Sequence, residues 1–508
     1  MSYAALKRRL VLAPLLVILL VWTFLYLPHL RTSPRWYGDE TLTLMIGKSL
    51  ASGQAADRSL IATFWHPSYP YQPGFAWLAG AMAWIFGGDI LGARLLNTFI
   101  ALAIALLIYF GGRARLGCLP AFFGALLFLS SDQAVIHFRW VYPHNAVALG
   151  FTITTLALLR SSRPPVDWTA GLGLAIGALS HPLFVHGAAA AWACRIKRPQ
   201  TWLRLIIPAT IVLASTIGLS LVHYWPHLWV FQDMATLVEF YRDFNRENAS
   251  AWQAPRNIAV FYSHDLFHFG SLVAIFLCCS RRLYPIAIFA GTVSILLLQN
   301  RQNLPVFYYQ AIVLLPILVL AWAGGLRAIS TWLRSILRRT FAARAVLFIA
   351  MLIPIATTLL ILPRSLRGNL VSRNDLWVTQ DVSEVQQAAT WINEHIRPDE
   401  LVICNQNIGW LLKCRTADLL QSTVWEKRTT FGFPTLVDAS RFRYDADISR
   451  AKYLVLGDID SRWTVHQENV WPSLERISQQ KWPIVWSGKY YLVAENPTYR
   501  QPEKLKED

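Results

Sequence analysis

Residues 7–40 read KRRLVLAPLLVILLVWTFLYLPHLRTSPRWYGDE. Three cations precede an apolar run from about 10 to 28, and about 20 helical residues suffice to cross the hydrocarbon of a bilayer. Positive segments stay cytoplasmic, so Lys7, Arg8 and Arg9 set the amino-terminal end inside and deliver Trp36-Tyr37-Gly38-Asp39-Glu40 to the outer face. No small-residue cleavage site follows the run, which therefore reads as an anchor and not as a signal peptide. Two adjacent carboxylates stand where the dielectric constant is falling, a setting that raises a carboxyl pKa and suits a general base.

The rest of the chain continues in the same vein. Of its 508 residues, 54% are hydrophobic and only 15% charged, which excludes an ordinary soluble enzyme and also excludes disorder. Aromatic residues reach 13% with 22 Trp, as suits many helix ends at a membrane interface. The net charge of +17 does not indicate nucleic acid, because the Lys and Arg residues sit in short clusters between apolar runs. Further runs lie near 73–88, 95–111, 118–133, 142–159, 168–182, 183–194, 203–222, 264–280, 284–299, 310–326 and 344–362. Arg113 and Arg115, Arg160 and Arg163, Arg195 to Arg204, Arg281 and Arg282, and Arg327 to Arg344 then fall inside, and everything after 362 falls outside. That pattern needs an odd number of crossings. The run at 73–88, bounded by Pro70, Pro73 and Gly74 and by Gly87 and Gly88, is assigned as re-entrant or interfacial, and a total of about 11 to 13 transmembrane helices is expected.

Beyond 362 the composition turns polar with mixed charge, so residues 363–508 are expected to form a separate small α/β extracytoplasmic domain after a membrane domain at 1–362. Ser383 with Gln386 has the spacing of a capping box and opens a helix to about Ile396. Strands are expected at Leu401–Cys404, Tyr453–Leu456, Pro483–Trp486 and Tyr490–Val493. Cys118, Cys194, Cys278 and Cys279 lie in or beside apolar runs as packing thiols. Cys404 and Cys414 lie in the outer domain, and their pairing is left open by sequence. No CxxC, HExxH, Walker loop or dinucleotide fingerprint occurs.

Two long outer loops, 29–72 and 223–263, and a short one at 300–309 hold the chemistry-bearing residues. Asp39 and Glu40 precede an amphipathic stretch, Thr41 to Leu50, that reads as a surface helix. Taken alone, Asp39 is as well explained as the cap of that helix, with Glu40 stabilised in its first turn. The middle loop carries dense aromatics that suit an interfacial belt, together with Arg242 and Arg246, one helical turn apart, which form a headgroup clamp or a solvated face. His66 and His264 lie at outer ends of segments, where an imidazole can hydrogen-bond a ligand or coordinate a metal, although lone histidines there are usually structural.

In combination these features resemble the GT-C glycosyltransferases, and more narrowly the protein O-mannosyltransferase and aminoarabinose transferase group. The resemblance rests on four places across residues 1 to 320. Asp39-Glu40 matches the family's acidic pair after the first span. His66-Pro67 through Tyr71-Gln72-Pro73-Gly74-Phe75-Ala76-Trp77 is similar to its His-Pro-aromatic run, stretched by an insertion. Arg139, after Ser130-Ser131-Asp132, matches its arginine. Asn300-Arg301-Gln302-Asn303-Leu304-Pro305, then Tyr308 and Pro316, looks like its Leu-Pro-Tyr passage. Two departures stand out. His144-Asn145 occupies the place where the family often carries an acid, and Asn303 stands where it often has Lys, with Arg301 two residues earlier.

The resemblance implies a GT-C-like polytopic helical membrane protein that transfers a monosaccharide, with inversion, from a polyprenyl-phosphate donor to a hydroxyl acceptor at the outer face. It implies Asp39 as base, with Glu40 orienting it or the acceptor. Arg139 and Arg301 hold the donor phosphate, while His66, Tyr308, Arg242 and Arg246 line the substrate site. The leaving group is already an acidic phosphate, so cations and not a general acid are needed. No metal ligand is assigned. A divalent cofactor is left open, without a motif for one. The partners expected are the lipid-linked donor, membrane lipid and the hydroxyl-bearing acceptor, with no nucleic acid. A bacterial inner membrane is the expected site, the terminal domain in the periplasm. A transporter or flippase of a lipid-linked sugar is the alternative from another class, and an inactive assembly partner is the third. The lack of a detectable inverted repeat weighs against the transporter.

Overall fold

A computed structural model describes residues 3–51, 73–223, 253–279, 283–298, 308–337, 340–370, 378–430, 436–439, 442 and 444–499. Every one of the twelve apolar runs falls on a helix. The first is Tyr3–Tyr26 and the last Thr340–Leu366, with Pro73–Ile85, Cys118–Leu129, Pro143–Leu158, Pro164–Ser180 and Trp202–His223 among those between. The run expected from 95 begins earlier, at Ile90, where Asp89 caps the helix by accepting from Leu91 N. It passes through a π-turn at Leu107–Gly111 and ends at Leu116. Among the described residues, four helices are long and apolar enough to cross a membrane, and a fifth is if a bent pair counts as one span; five more apolar helices are shorter.

Close packing inside this bundle uses small residues, as it must where lipid supplies no hydrophobic drive for helices to associate. The Pro143–Leu158 and Pro164–Ser180 helices meet at Gly150 and Gly173, where a Cβ added to Gly150 would lie 2.3 Å from the Gly173 carbonyl oxygen. Thr154 Oγ1 donates to Ala170 O at 3.0 Å across the same seam.

From Val378 onward the chain forms an α/β unit. Asp381 caps its first helix, Val382–His395, by accepting from Ser383 N and Glu384 N, so the cap lies two residues before the expected Ser383. Five strands follow: β1 (Leu401–Ile403), β2 (Arg415–Ala417), β3 (Tyr453–Leu456), β4 (Ile484–Ser487) and β5 (Leu492–Glu495), in the order β2-β1-β3-β5-β4. The first three are parallel, and β5 and β4 continue antiparallel. Four of these strands sit within two residues of expectation. β2 was not expected.

Side chains alternate across the sheet, as strand geometry requires. Leu401, Ile403, Leu454 and Ala494 face one core. Val402, Tyr453, Val455 and Val493 face the other, which runs without a break through Trp410 and Trp36 into the helical bundle at Tyr26, Leu44 and Phe138. Cys404 and Cys414 are buried thiols and not a disulfide.

Candidate functional site

The Gly38–Ala51 helix follows the short connection after the first helix, with Asp39 and Glu40 in its first turn. The two acids have opposite surroundings. Glu40 is wholly buried, and Arg94, also wholly buried, meets it with two parallel bonds, Nε to Oε1 and Nη2 to Oε2, each 2.7 Å. Val141 N donates to the same carboxylate at 3.0 Å, and Tyr37 N reaches Oε2 at 3.5 Å, as the third residue of a helix does for its cap. Arg94 Nη1 donates to Leu30 O and Pro34 O at 2.8 and 2.9 Å. A planar guanidinium is suited to this fork-on-fork geometry, which Lys cannot reproduce. The pair therefore knots three segments together: the loop at 30–34, the helix bearing Asp39, and the turn at Val141. Glu40, expected to orient the base or the acceptor, has its oxygens turned inward and bonded to Arg94 and Val141 N. It anchors the segment.

Asp39 is exposed. The hydroxyl of Tyr142 donates to its Oδ2 at 3.3 Å. Tyr142 is itself set in a row of rings, its centroid 5.5 Å from Tyr37 and 5.1 Å from His144, while Trp140 lies 5.2 Å from Tyr37. Trp140 Nε1 donates to Arg35 O at 2.8 Å. A polar network behind this row fixes the turn. Asn145 Nδ2 donates to Asn97 Oδ1 at 2.8 Å and to His137 O at 2.9 Å. Asn145 thus fixes the turn from behind.

The carboxy-terminal unit closes on the same segment. Thr379 N donates to Trp36 O at 2.9 Å, and Tyr37 and Val378 form an antiparallel bridge. Thr41 Oγ1 donates to Asn407 Oδ1 at 3.1 Å, Asn407 Nδ2 donates to Thr379 Oγ1 at 2.7 Å, and Trp36 meets Trp410 edge to face at 5.2 Å. Asp39 thus projects from a segment whose residues on both sides are clamped.

The side chain of Arg139 is buried, with Nη1 donating to Leu25 O and Ser365 Oγ, both at 3.1 Å, and Nη2 donating to Pro28 O. Leu25 and Pro28 lie at the carboxyl end of the first helix, where carbonyls lack helical partners. Ser365 lies at the end of the last helix. Arg139 staples those two helices together, a structural role that stands beside the expected one on the donor phosphate. Tyr308 opens a short helix, Tyr308–Ala311, and is described in its backbone alone. His66, Arg242, Arg246 and Arg301 lie outside the described residues.

Sequence reasoning did not find Arg94 or Tyr142. A signal for Arg94 existed: an arginine and an asparagine, Arg94 and Asn97, nearly one turn apart inside an apolar helix mark an interior partner. For Tyr142 there was none, since its partner is 103 residues away.

No protein-family model matches the chain, and no curated protein matches it in sequence. The fold is that of the GT-C glycosyltransferases. The similar solved structures include ArnT from Cupriavidus metallidurans, in the apo state and bound to undecaprenyl phosphate. Both match with a TM-score of 0.60 at 13% identity over 97% of this chain, and over 98% and 99% of ArnT. The archaeal oligosaccharyltransferase AglB from Archaeoglobus fulgidus, in complex with an inhibitory peptide and a dolichol-phosphate, matches with a TM-score of 0.52 at 13% identity, over 90% of this chain and 70% of AglB.

Proposed function

We propose that this chain is an inverting glycosyltransferase that moves a monosaccharide from a polyprenyl-phosphate donor to a hydroxyl acceptor at the outer face of the membrane, with Asp39 as general base. The observation that carries the reading is the contrast within one turn of helix. In a GT-C fold, Glu40 and its neighbours are locked, while Asp39 alone of the acidic pair is presented outward on that rigid frame. A base needs a fixed position within hydrogen-bond reach of the proton it takes, and Tyr142 holds one oxygen of the carboxylate. The acceptor O–H gives its proton to Asp39 as its oxygen attacks the anomeric carbon. The bond from that carbon to the phosphate oxygen breaks on the opposite face, and the polyprenyl phosphate leaves with the electron pair. ArnT has been captured with undecaprenyl phosphate and AglB with a dolichol-phosphate, which supports a lipid-phosphate donor here.

Beside Arg139, which is bonded at the helix ends, the cations for the departing phosphate are sought in Arg301, Arg242 and Arg246. Residues 363–508 form an extracytoplasmic cap on the catalytic segment, in a membrane domain with an odd number of spans.

Asp39→Asn in proteoliposomes supplied with a labelled polyprenyl-phosphate sugar tests the reading. Transfer should fall at least a hundredfold with donor binding retained. A variant that still transfers at the wild-type rate removes Asp39 from the chemistry. A protein that moves labelled lipid between leaflets without any transfer is a carrier and not a transferase.

A further inference from the structure

We infer that His264, Asp265 and His268 form a binding site for a divalent transition-metal ion at the outer end of the Leu266–Cys279 helix. These three residues lie at a sharp corner. The helices ending at Ser263 and starting at Leu266 are bent by 114° across a break that contains only His264 and Asp265. One ligand atom from each of the three side chains lies within 4.8 Å of the other two. His268 Nδ1 is 2.8 Å from Asp265 Oδ1, and His264 Nδ1 is 3.5 Å from Asp265 Oδ2. Ligands around a zinc ion at 2.0–2.1 Å stand roughly 3.3 Å apart in a tetrahedron, so closing the separations by at most about 1.5 Å would seat one.

A helix cap accounts for part of this arrangement. Asp265 precedes the first residue of its helix and accepts from His268 N at 2.8 Å. A cap requires neither imidazole. Here two imidazoles flank one carboxylate, and they differ in the way ligands of an open site differ. His268 is 2% exposed, whereas His264 and Asp265 are 49% and 44% exposed. The buried ring is enclosed by aromatics, with Phe261 at 4.7 Å edge to face and Phe267 at 5.4 Å. Such a shell fixes a ring and excludes water from one side of an ion. The capping bond from His268 N would become the outer hydrogen bond that orients a ligating carboxylate. In the loaded state the ion takes the place of the hydrogen bond between His268 Nδ1 and Asp265 Oδ1, and the neutral ring carries its single proton on Nε2.

Two imidazole nitrogens and one carboxylate oxygen suit borderline divalent ions such as Zn²⁺, Co²⁺ or Ni²⁺ over Ca²⁺ or Mg²⁺, which prefer oxygen alone. The exposed side leaves room for water as a further ligand. The ion would rivet the corner between the two helices. On the far side, the Gln253–Ser263 helix is already held to the neighbouring span through Asn257 Nδ2, which donates to Leu298 O at 2.9 Å, and through Tyr262 and Ser294, whose hydroxyls are 2.8 Å apart. This site is argued from its own residues and stands apart from the transferase reading.

The test uses the full-length, tag-free chain in detergent micelles, stripped with chelator and titrated with Co²⁺, whose visible absorption reports nitrogen and oxygen ligation. One equivalent should bind, and Zn²⁺ should displace it. Asp265→Asn keeps the cap, because Asn caps as well as Asp, and should weaken Co²⁺ binding at least tenfold with an unchanged melting temperature in chelator. His264→Ala should weaken it similarly, and the double variant at least a hundredfold. If the wild-type chain binds no Co²⁺, or binds it as the double variant does, the site does not exist. Hydrogen exchange of residues 262–268 should slow on loading, and no change there would likewise overturn the assignment.

Discussion

The buried pair of Glu40 and Arg94 makes a prediction that separates holding the site from acting in it. Removing one partner of a buried ion pair leaves the other charge desolvated, at a cost of about 3–5 kcal/mol. Arg94→Met does this to Glu40 and also strands the carbonyls of Leu30 and Pro34, at about 1–3 kcal/mol each. A loss of at least ~4 kcal/mol is therefore expected. Glu40→Leu leaves Arg94 charged but still bonded to those two carbonyls, so a loss nearer ~3 kcal/mol is expected. The double variant replaces both charges by apolar groups of similar bulk and should lose less than the sum by at least ~2 kcal/mol. Equilibrium unfolding of the four proteins in micelles, followed by tryptophan fluorescence, gives the cycle directly. Asp39→Asn should lie within about 0.5 kcal/mol of the wild type, since the carboxylate is exposed. Effects of Glu40→Leu and Arg94→Met that add to within ~0.5 kcal/mol would refute the claim that this pair secures the segment. So would an Asp39 variant that is as unstable as either.

Three further outcomes are expected. Tyr142→Phe should lower turnover about tenfold with little change in donor KM, because it removes one hydrogen bond that positions the carboxylate without touching the donor; steady-state kinetics would show it. Arg139→Ala should reduce stability by about 3 kcal/mol or more, and Arg139→Lys should not restore it, since an ammonium cannot span Leu25 O, Pro28 O and Ser365 Oγ; intact stability with weakened donor binding would assign Arg139 to the phosphate alone. Burial pushes both Asp418 and Asp460 up to about 6, so between about pH 4 and 6 these two groups bind more protons in the folded state than in the unfolded one. The carboxy-terminal unit should therefore become more stable as pH falls from 7 to 5, visible as slower hydrogen exchange at 401–421 after correction for the intrinsic rate. Exchange that quickens over that range would contradict it.

The helices were legible because a lipid-facing segment must be apolar along about 20 residues, a signal too long to arise by accident. The place of Arg94 was less so. A search for apolar windows puts it just ahead of a run starting near 95, where it passes for a flanking cation, whereas the helix begins at Ile90 and carries it into the core. The strand Arg415-Thr416-Ala417 has three residues and no apolar alternation, and it exists because β1 offers it a partner. At the site, the acidic pair was visible as a pair. Which member is buried depends on a residue 54 positions away. Arg139 shows another limit: its bonds to Leu25 O, Pro28 O and Ser365 Oγ depend on residues more than 100 positions away and left no local signal.

Trp36, Tyr37 and Thr41 take their partners from Val378, Thr379 and Asn407, more than 300 residues later in the chain. A ribosome releases the acid-bearing loop early and its clasp very late, so during synthesis every helix can be in place while the loop still awaits its closing contacts. The loop then gains its closing contacts in a single late step, when the tail docks on it. A half-made molecule carries the acid without the frame that holds it in place.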